Sequence, residues 1–192
     1  MRDNNQRTLG VILAGGLSSR MKQDKATLPR DQHTMLEFSQ AMLKKCNVDD
    51  VVISGNNHQI KDHYKNLGPL AGIFSVLQQC PAKALLIMPI DLPLIDSATL
   101  TQLKTIGELS NKACFYQGHP LPLYLPVNAF VEQFLQDNIS IAMKRGPSMK
   151  QLLNAIPHQA INLKNKNSLF NTNTPEEWQL AQQKLQALKN PR

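Results

Sequence analysis

The chain has 192 residues, of which 42% are hydrophobic and 18% are charged; these values exclude a disordered or fibrous chain and predict one folded domain over residues 1–192. Lysine and arginine outnumber aspartate and glutamate by 21 to 14, a formal net charge of +7, which suits nucleic acid, an anionic membrane or a phosphorylated small substrate. Only 5% of the residues are aromatic and the basic residues are scattered, so a nucleic-acid platform built on base stacking is disfavoured.

Four short apolar runs predict the strands of a parallel sheet that is covered on both faces. Continuous apolarity over such lengths is typical of strands with no solvent-facing side. The runs are LGVILA (9–14), DVVIS (50–54), ALLIMPI (84–90) and ACFYQ (113–117).

Helical patterns lie between these runs. They predict helices over residues 34–46, 68–80 and 96–106, the second with Pro69 in its first turn and the third capped by Asp96 or Ser97. Strands that alternate with helices indicate an α/β fold with three layers and a mostly parallel central sheet, as in Rossmann-like proteins.

The second half of the chain has a different pattern. Residues 119–126 carry three prolines and predict an extended segment at an edge of the sheet. Helices are expected over 127–138 and 147–156, and a late strand over 158–163. The last helix begins with Thr174 as its N-cap and Glu177 three residues later, the spacing of a capping box.

Cys46, Cys80 and Cys114 are odd in number and far apart, which argues against a disulfide framework and against a zinc site. No apolar run is long enough to span a bilayer, and the run that ends near Gly15 is too short for the core of a signal peptide. We therefore expect a cytoplasmic protein that contacts neither membrane nor nucleic acid.

The segment after the first predicted strand has the composition of a phosphate-binding loop. Gly15 and Gly16 lack a Cβ, so backbone N–H groups can approach an anion closely, and Arg20 and Lys25 add positive charge. Ligands of open parallel sheets bind beyond the carboxyl ends of the strands, where this loop begins. The spacing is neither that of a P-loop nor that of a dinucleotide fingerprint, and a glycine pair alone also fits a simple turn.

Asp91 stands where another apolar run meets a proline-containing turn. Its carboxylate would point out of the same edge of the sheet, where it can bind Mg²⁺ together with phosphate oxygens. An aspartate in this position can also cap a turn, but its place beside the glycine loop favours the metal role.

Several segments in order along the chain resemble one family. They are LAGGLSSRMKQDK (13–25), GPLAGIFSVL (68–77), IMPIDLPLI (87–95), HPLPLYL (119–125) and FNTNTPEEW (170–178). Together they resemble the molybdenum cofactor guanylyltransferase (MobA) family of the nucleotidyltransferase superfamily.

The resemblance implies a nucleotidyltransferase fold and a Mg²⁺-dependent transfer of GMP from GTP to molybdopterin, with release of pyrophosphate. It assigns catalytic contacts with the nucleotide to Arg20, Lys25 and Asp91, with Asp91 as the metal ligand. Backbone groups of the glycine loop would meet the guanine and ribose, namely those of Leu13, Ala14, Gly15 and Gly16.

The chain departs from the family pattern after the second predicted strand. Where the family has an asparagine that holds the base, this chain has Ser54, and Asn56 is the alternative. Asp62 takes the place of a family aspartate in a shortened segment. Asn171 and Asn173, which precede the last helix, are structural candidates for hydrogen bonds that steady the opening loop.

We expect a monomer that binds GTP and molybdopterin and makes at most transient contact with other molybdenum cofactor proteins. The alternatives are a cytidylyltransferase, a nucleotidyltransferase with a different phosphorylated acceptor, and a catalytically impaired nucleotide-binding relative.

Overall fold

A computed structural model describes residues 7–15, 24–55, 57–61, 68–139 and 147–189. Within these residues the strands are β1 (Thr8–Leu13), β2 (Pro29–Arg30), β3 (His33–Thr34), β4 (Asp50–Ser54), β5 (Ala84–Pro89), β6 (Ala113–Tyr116), β7 (His119–Pro126) and β8 (His158–Ile161). The α-helices are α1 (Met35–Lys44), α2 (Pro69–Gln79), α3 (Ser97–Ser110), α4 (Ala129–Ile139), α5 (Met149–Ala155) and α6 (Pro175–Lys189).

Six strands form one sheet in the order β4-β1-β5-β7-β6-β8, and β2 and β3 form a separate hairpin. The pairs β1 with β4, β1 with β5 and β6 with β8 are parallel, whereas β7 is antiparallel to both of its neighbours. Five of the six strands therefore run in one direction, which confirms the predicted α/β fold with a mostly parallel sheet.

Helices cover both faces of this sheet. One apolar core contains residues of α1, α3 and α6, and the other contains residues of α2, α4 and α5. Successive side chains of a strand point to opposite faces, and in β5 Leu86 and Met88 enter the first core while Leu85 and Ile87 enter the second. The continuous apolar runs thus have the predicted cause, which is burial on both sides.

Two strands differ from their predictions. DVVIS forms the edge strand β4, so its burial is only partial. Residues 119–126 were expected at an edge but form β7 between β5 and β6. Pro120 and Pro122 are tolerated because they lie where the register between β6 and β7 shifts and outside the pairing with β5. Pro126 is the last residue of β7 and pairs with Ala84 at the start of β5. The hairpin β2–β3 was not predicted.

Side-chain caps fix where three helices begin. Thr34 and Glu37 form a capping box on α1, and Asp96 accepts a hydrogen bond from the Thr99 N–H at the start of α3. At α6, Thr174 Oγ1 accepts the Glu177 N–H and Glu177 accepts the Thr174 N–H, as the spacing predicted. In the part of the chain that the structure describes, no helix combines the length and apolar character needed to cross a membrane.

Gly107 on α3 lies directly over the ring of Tyr124 on β7. A Cβ at this position would stand 2.1 Å from Tyr124 Cδ1, far inside van der Waals contact. The helix can therefore approach the sheet this closely only because residue 107 has no side chain.

We expect Gly107→Ala to destabilise the fold by about 1–3 kcal/mol through overpacking, although glycine to alanine in a helix ordinarily stabilises by about 0.4–1 kcal/mol. Urea unfolding measures the difference. The matched control is Thr105→Ala, because Thr105 is exposed on the same helix. A Gly107→Ala variant as stable as the wild type would contradict this packing.

Candidate functional site

Three parallel strands end side by side at the carboxyl edge of the sheet. Leu13 at the end of β1 pairs with Ser54 of β4 and with Pro89 of β5. Beyond the strands, the Ala14 N–H donates to the Ser54 carbonyl at 2.8 Å, and the Ile90 N–H donates to the Leu13 carbonyl at 3.1 Å. These bonds place the beginning of the glycine loop directly beside the turn that carries Asp91.

Lys25 reaches this edge from a single turn of 3-10 helix, Lys25–Thr27. Asp24 caps the turn by accepting the Ala26 N–H at 3.0 Å, and the side chains of Ala26 and Leu28 are buried in the first apolar core. The cap thus fixes the shape of the turn, and the two buried residues after the lysine anchor the turn to the core.

The Lys25 ammonium lies between two side chains from distant parts of the chain. Its Nζ donates to Asp91 Oδ2 at 3.2 Å and to Asn173 Oδ1 at 2.8 Å. Lys25 and Asp91 are each only 16% exposed, so the contact is largely shielded from water. We call these three residues the lysine junction.

The second carboxylate oxygen of Asp91 is suited to a divalent cation. Asp91 Oδ1 is buried and has no hydrogen-bond partner among the described residues, and such an atom is costly unless a ligand satisfies it. The described residues contain no cluster of three potential metal-ligating side chains. Beyond Asp91, these described residues supply no further ligand set, and Mg²⁺ commonly takes most of its ligands from substrate and water.

A C-terminal segment, residues 165–173, closes one side of the junction. The Thr172 N–H donates to the Asp91 carbonyl at 3.0 Å, and the buried Ser168 hydroxyl donates to Asp96 Oδ2 at 2.6 Å. Burial raises the pKa of Asp96, but hydrogen bonds from Ser168, Thr99 and Asn165 outweigh it and lower the pKa below its ordinary value of 3.8. Asp96 is therefore held as a carboxylate that caps α3 and anchors this segment.

Glycines allow close packing around the strand ends. Ser54 is only 1% exposed, and a Cβ on Gly72 of α2 would stand 2.7 Å from its Oγ and 2.8 Å from Leu13 Cδ2. A Cβ on Gly55 would stand 3.1 Å from the Gly15 nitrogen. The Ser54 side chain thus lies beneath α2, and its carbonyl is the group that contacts the loop.

The structure brings together most of the predicted site residues that it describes. Leu13, Ala14, Gly15, Lys25 and Asp91 converge on one edge, Gly15 is exposed, and Ser54 lies buried beside them. Of the two asparagines expected to steady the opening segment, Asn173 accepts a hydrogen bond from Lys25 Nζ, whereas Asn171 is exposed. Four predicted residues lie outside the described residues: Gly16, Arg20, Asn56 and Asp62.

Two supporting residues were not predicted. Thr172 donates to the Asp91 carbonyl, 81 residues earlier in the chain. Ser168 donates to the Asp96 carboxylate, 72 residues earlier. Only their position in a polar stretch before the α6 capping box could have drawn attention to them.

This six-stranded sheet, with a lysine and an aspartate meeting at its carboxyl edge, has a nucleotidyltransferase fold. Solved structures share the fold. A molybdopterin-guanine dinucleotide biosynthesis protein A from Archaeoglobus fulgidus has a TM-score of 0.73 at 19% identity, covering 93% of this chain and 98% of that one. A 2-C-methyl-D-erythritol 4-phosphate cytidylyltransferase from Thermus thermophilus has a TM-score of 0.70 at 13% identity, covering 94% and 99%.

Within that class, the family model of the MobA-like NTP transferase domain matches residues 10–153. The chain is also 34% identical over 179 residues to a molybdenum cofactor guanylyltransferase from Xanthomonas euvesicatoria pv. vesicatoria, covering 88% of this chain and 91% of the relative. The chain belongs to the MobA-like NTP transferase family, which confirms the resemblance that the motifs carried.

We expect Asp96→Ala to destabilise the protein by about 1–3 kcal/mol near pH 7, because it removes a helix cap and leaves the buried Ser168 hydroxyl without its acceptor. A carboxylate with a lowered pKa contributes stability above its unfolded pKa and loses it as the pH falls through the folded pKa. The difference from wild type should therefore shrink below pH 3.8, the ordinary value.

Urea unfolding of both proteins near neutral pH and at about pH 3 measures this difference. Asp137→Ala is the matched control, because Asp137 is an exposed helical aspartate. A difference that stays constant across the pH range would contradict the role of the Asp96 charge.

We expect Ser54→Ala to change nucleotide affinity by less than about threefold, under 1 kcal/mol, because the hydroxyl is buried beneath α2 and the carbonyl is unchanged. Calorimetric titration with nucleoside triphosphates measures this affinity. A loss of tenfold or more in a variant of normal stability would show that the hydroxyl itself contacts the ligand.

Proposed function

We propose that this protein transfers GMP from GTP to molybdopterin and releases pyrophosphate. The observation that carries the proposal is the buried Asp91 Oδ1, which has no hydrogen-bond partner among the described residues. It lies next to the Lys25 ammonium, at the carboxyl edge where open parallel sheets bind their ligands. The Xanthomonas relative's name, molybdenum cofactor guanylyltransferase, supports guanine and molybdopterin as the particular substrates.

In this proposal the terminal phosphate oxygen of molybdopterin attacks the α-phosphorus of GTP. A new P–O bond forms as the bond between the α-phosphorus and the bridging oxygen breaks, and the electron pair leaves with pyrophosphate. Catalysis of such a displacement consists mainly of positioning the reactants and neutralising charge.

Asp91 would hold Mg²⁺, with Oδ1 as the ligand atom. When bound, the ion would neutralise charge on the phosphate oxygens and orient them. Lys25 would donate hydrogen bonds to the same phosphates from the other side of the carboxylate. The proposal also keeps Arg20 as a phosphate contact.

The glycine loop would bind the nucleoside end of GTP. Gly15 is exposed, and no side chain at residue 15 or 55 blocks the approach of a base or ribose to the backbone. The Ala14 N–H donates to Ser54 of β4, and the Leu13 carbonyl accepts from Ile90 after β5. We therefore assign the contact with the nucleoside to the backbone of Gly15. Asn56 and Asp62 remain the proposed side-chain contacts to the base, along with Gly16 in the loop.

We further propose that the reaction takes place in the cytoplasm. Cys46, Cys80 and Cys114 are all free thiols, and burial raises the pKa of Cys114 to about 11, which keeps this thiol protonated and unreactive. Free thiols of this kind suit a reducing compartment.

We expect the purified protein with GTP, Mg²⁺ and molybdopterin to yield the guanine dinucleotide and pyrophosphate in equal amounts. Chromatography of the pterin product and a coupled pyrophosphate assay measure the two products. Turnover with CTP and not with GTP would assign the protein to the cytidylyltransferases, and binding of GTP without turnover would identify an impaired relative.

Asp91→Asn is the matched control for this assay. The amide keeps the size of the side chain and an oxygen that can accept from Lys25, so the fold should remain intact, but it removes the charge that holds the metal. We expect turnover to fall by about 100-fold or more. Normal turnover in a folded variant would refute the metal role.

A further inference from the structure

Lys25 has two partners that differ in charge. The bond to the neutral Asn173 amide is 2.8 Å long, whereas the bond to the Asp91 carboxylate is 3.2 Å long. The carboxylate is also the group at which a divalent cation is proposed to bind. A divalent cation would therefore compete with Lys25 for the Asp91 carboxylate but not for the Asn173 amide.

A cation on Asp91 Oδ1 would weaken the contact of Lys25 with Oδ2. The two positive charges would share one carboxylate in a largely buried place, where their repulsion is poorly screened. The amide oxygen of Asn173 carries no formal charge, and its bond to the ammonium does not depend on the charge of Asp91. The hydrogen bond between Lys25 and Asn173 would therefore remain when the metal binds.

The position of Asn173 is fixed independently of Lys25. Its N–H donates to Glu177 Oε2 at 2.6 Å, within the cap of α6. The preceding residue, Thr172, is buried and donates to the Asp91 carbonyl. The amide thus stands on a segment that is held at both the helix start and the turn after β5.

We propose that Asn173 is a positioning residue that keeps the Lys25 ammonium at the site while a divalent cation occupies Asp91. This inference rests on the metal role proposed for Asp91. Asp91 alone would suffice to hold the lysine before the metal binds, and Asn173 becomes necessary only afterwards.

The test measures how fast acetic anhydride acetylates Lys25, read by peptide mass spectrometry, with and without saturating Mn²⁺. A lysine held in hydrogen bonds reacts slowly, whereas a released one reacts at the rate of an exposed side chain. In the wild type, the Lys25 rate should change by less than about twofold on adding Mn²⁺. In Asn173→Ala the rate should be low without metal and rise at least about fivefold with it, because a hydrogen bond to a charged group is among the strong ones.

Three further variants complete the test. Asn171→Ala is the matched control, since Asn171 is an exposed asparagine two residues away, and it should behave as the wild type. In Asp91→Asn, Lys25 should stay protected by Asn173, and in the Asp91→Ala, Asn173→Ala double variant, which removes both acceptors, it should react fast without any metal. Acetylation rates of the other lysines show whether each variant is folded.

The amount of bound Mn²⁺, measured by electron paramagnetic resonance, distinguishes a failure of the role proposed for Asn173 from a failure of the metal role proposed for Asp91. If the wild type binds Mn²⁺, Asp91→Asn does not, and Lys25 of Asn173→Ala stays protected with metal bound, the role of Asn173 is refuted and the metal role of Asp91 stands. If, with GTP present, Mn²⁺ binds equally to the wild type and to Asp91→Asn, or binds to neither, the metal role falls and the inference falls with it.

Discussion

The contact of one ammonium group with an aspartate and an asparagine organises the carboxyl edge of this protein. Lys25 binds partners that are 66 and 148 residues away in the chain. A largely buried lysine needs such partners, because an ammonium without them would lose hydration with nothing in return. The junction can therefore form only if the turn after β1, the turn after β5 and the segment before α6 lie side by side.

Backbone geometry allows the three segments of the junction to lie this close to one another. The ends of β1, β4 and β5 lie in register, and hydrogen bonds from Ala14 and Ile90 continue the sheet one residue beyond its strands. Gly55 and Gly72 let a loop and a helix approach these ends more closely than any side chain would allow. Backbone hydrogen bonds and close packing at the strand ends thus help to place the site, together with the polar contacts of Lys25.

The fold could be predicted largely because its signals are local. Apolar runs marked β1 and β5, and the Thr174 and Glu177 spacing marked the start of α6, since burial on both faces and helix capping depend on near neighbours in the chain. The inner position of β7 could not be predicted, because strand pairing is a long-range property and the local sequence does not show that Pro120 and Pro122 fall at a register shift. In the site, Lys25 and Asp91 stood out by residue type, and Asn173 was predicted to steady the opening segment. The contact of Ser168 with Asp96 and the burial of Ser54 beneath α2 depend on tertiary packing.

The two solved structures that share this fold act, by their names, on different substrates at 19% and 13% identity. In this chain, the lysine junction stands on the sheet edge itself and is braced by backbone hydrogen bonds from two sides. Under the proposed function, this fixed arrangement of cation, carboxylate and amide would position the phosphates for displacement. The base and the acceptor would then extend away from that edge, and substrate choice would depend on the loops that contact them.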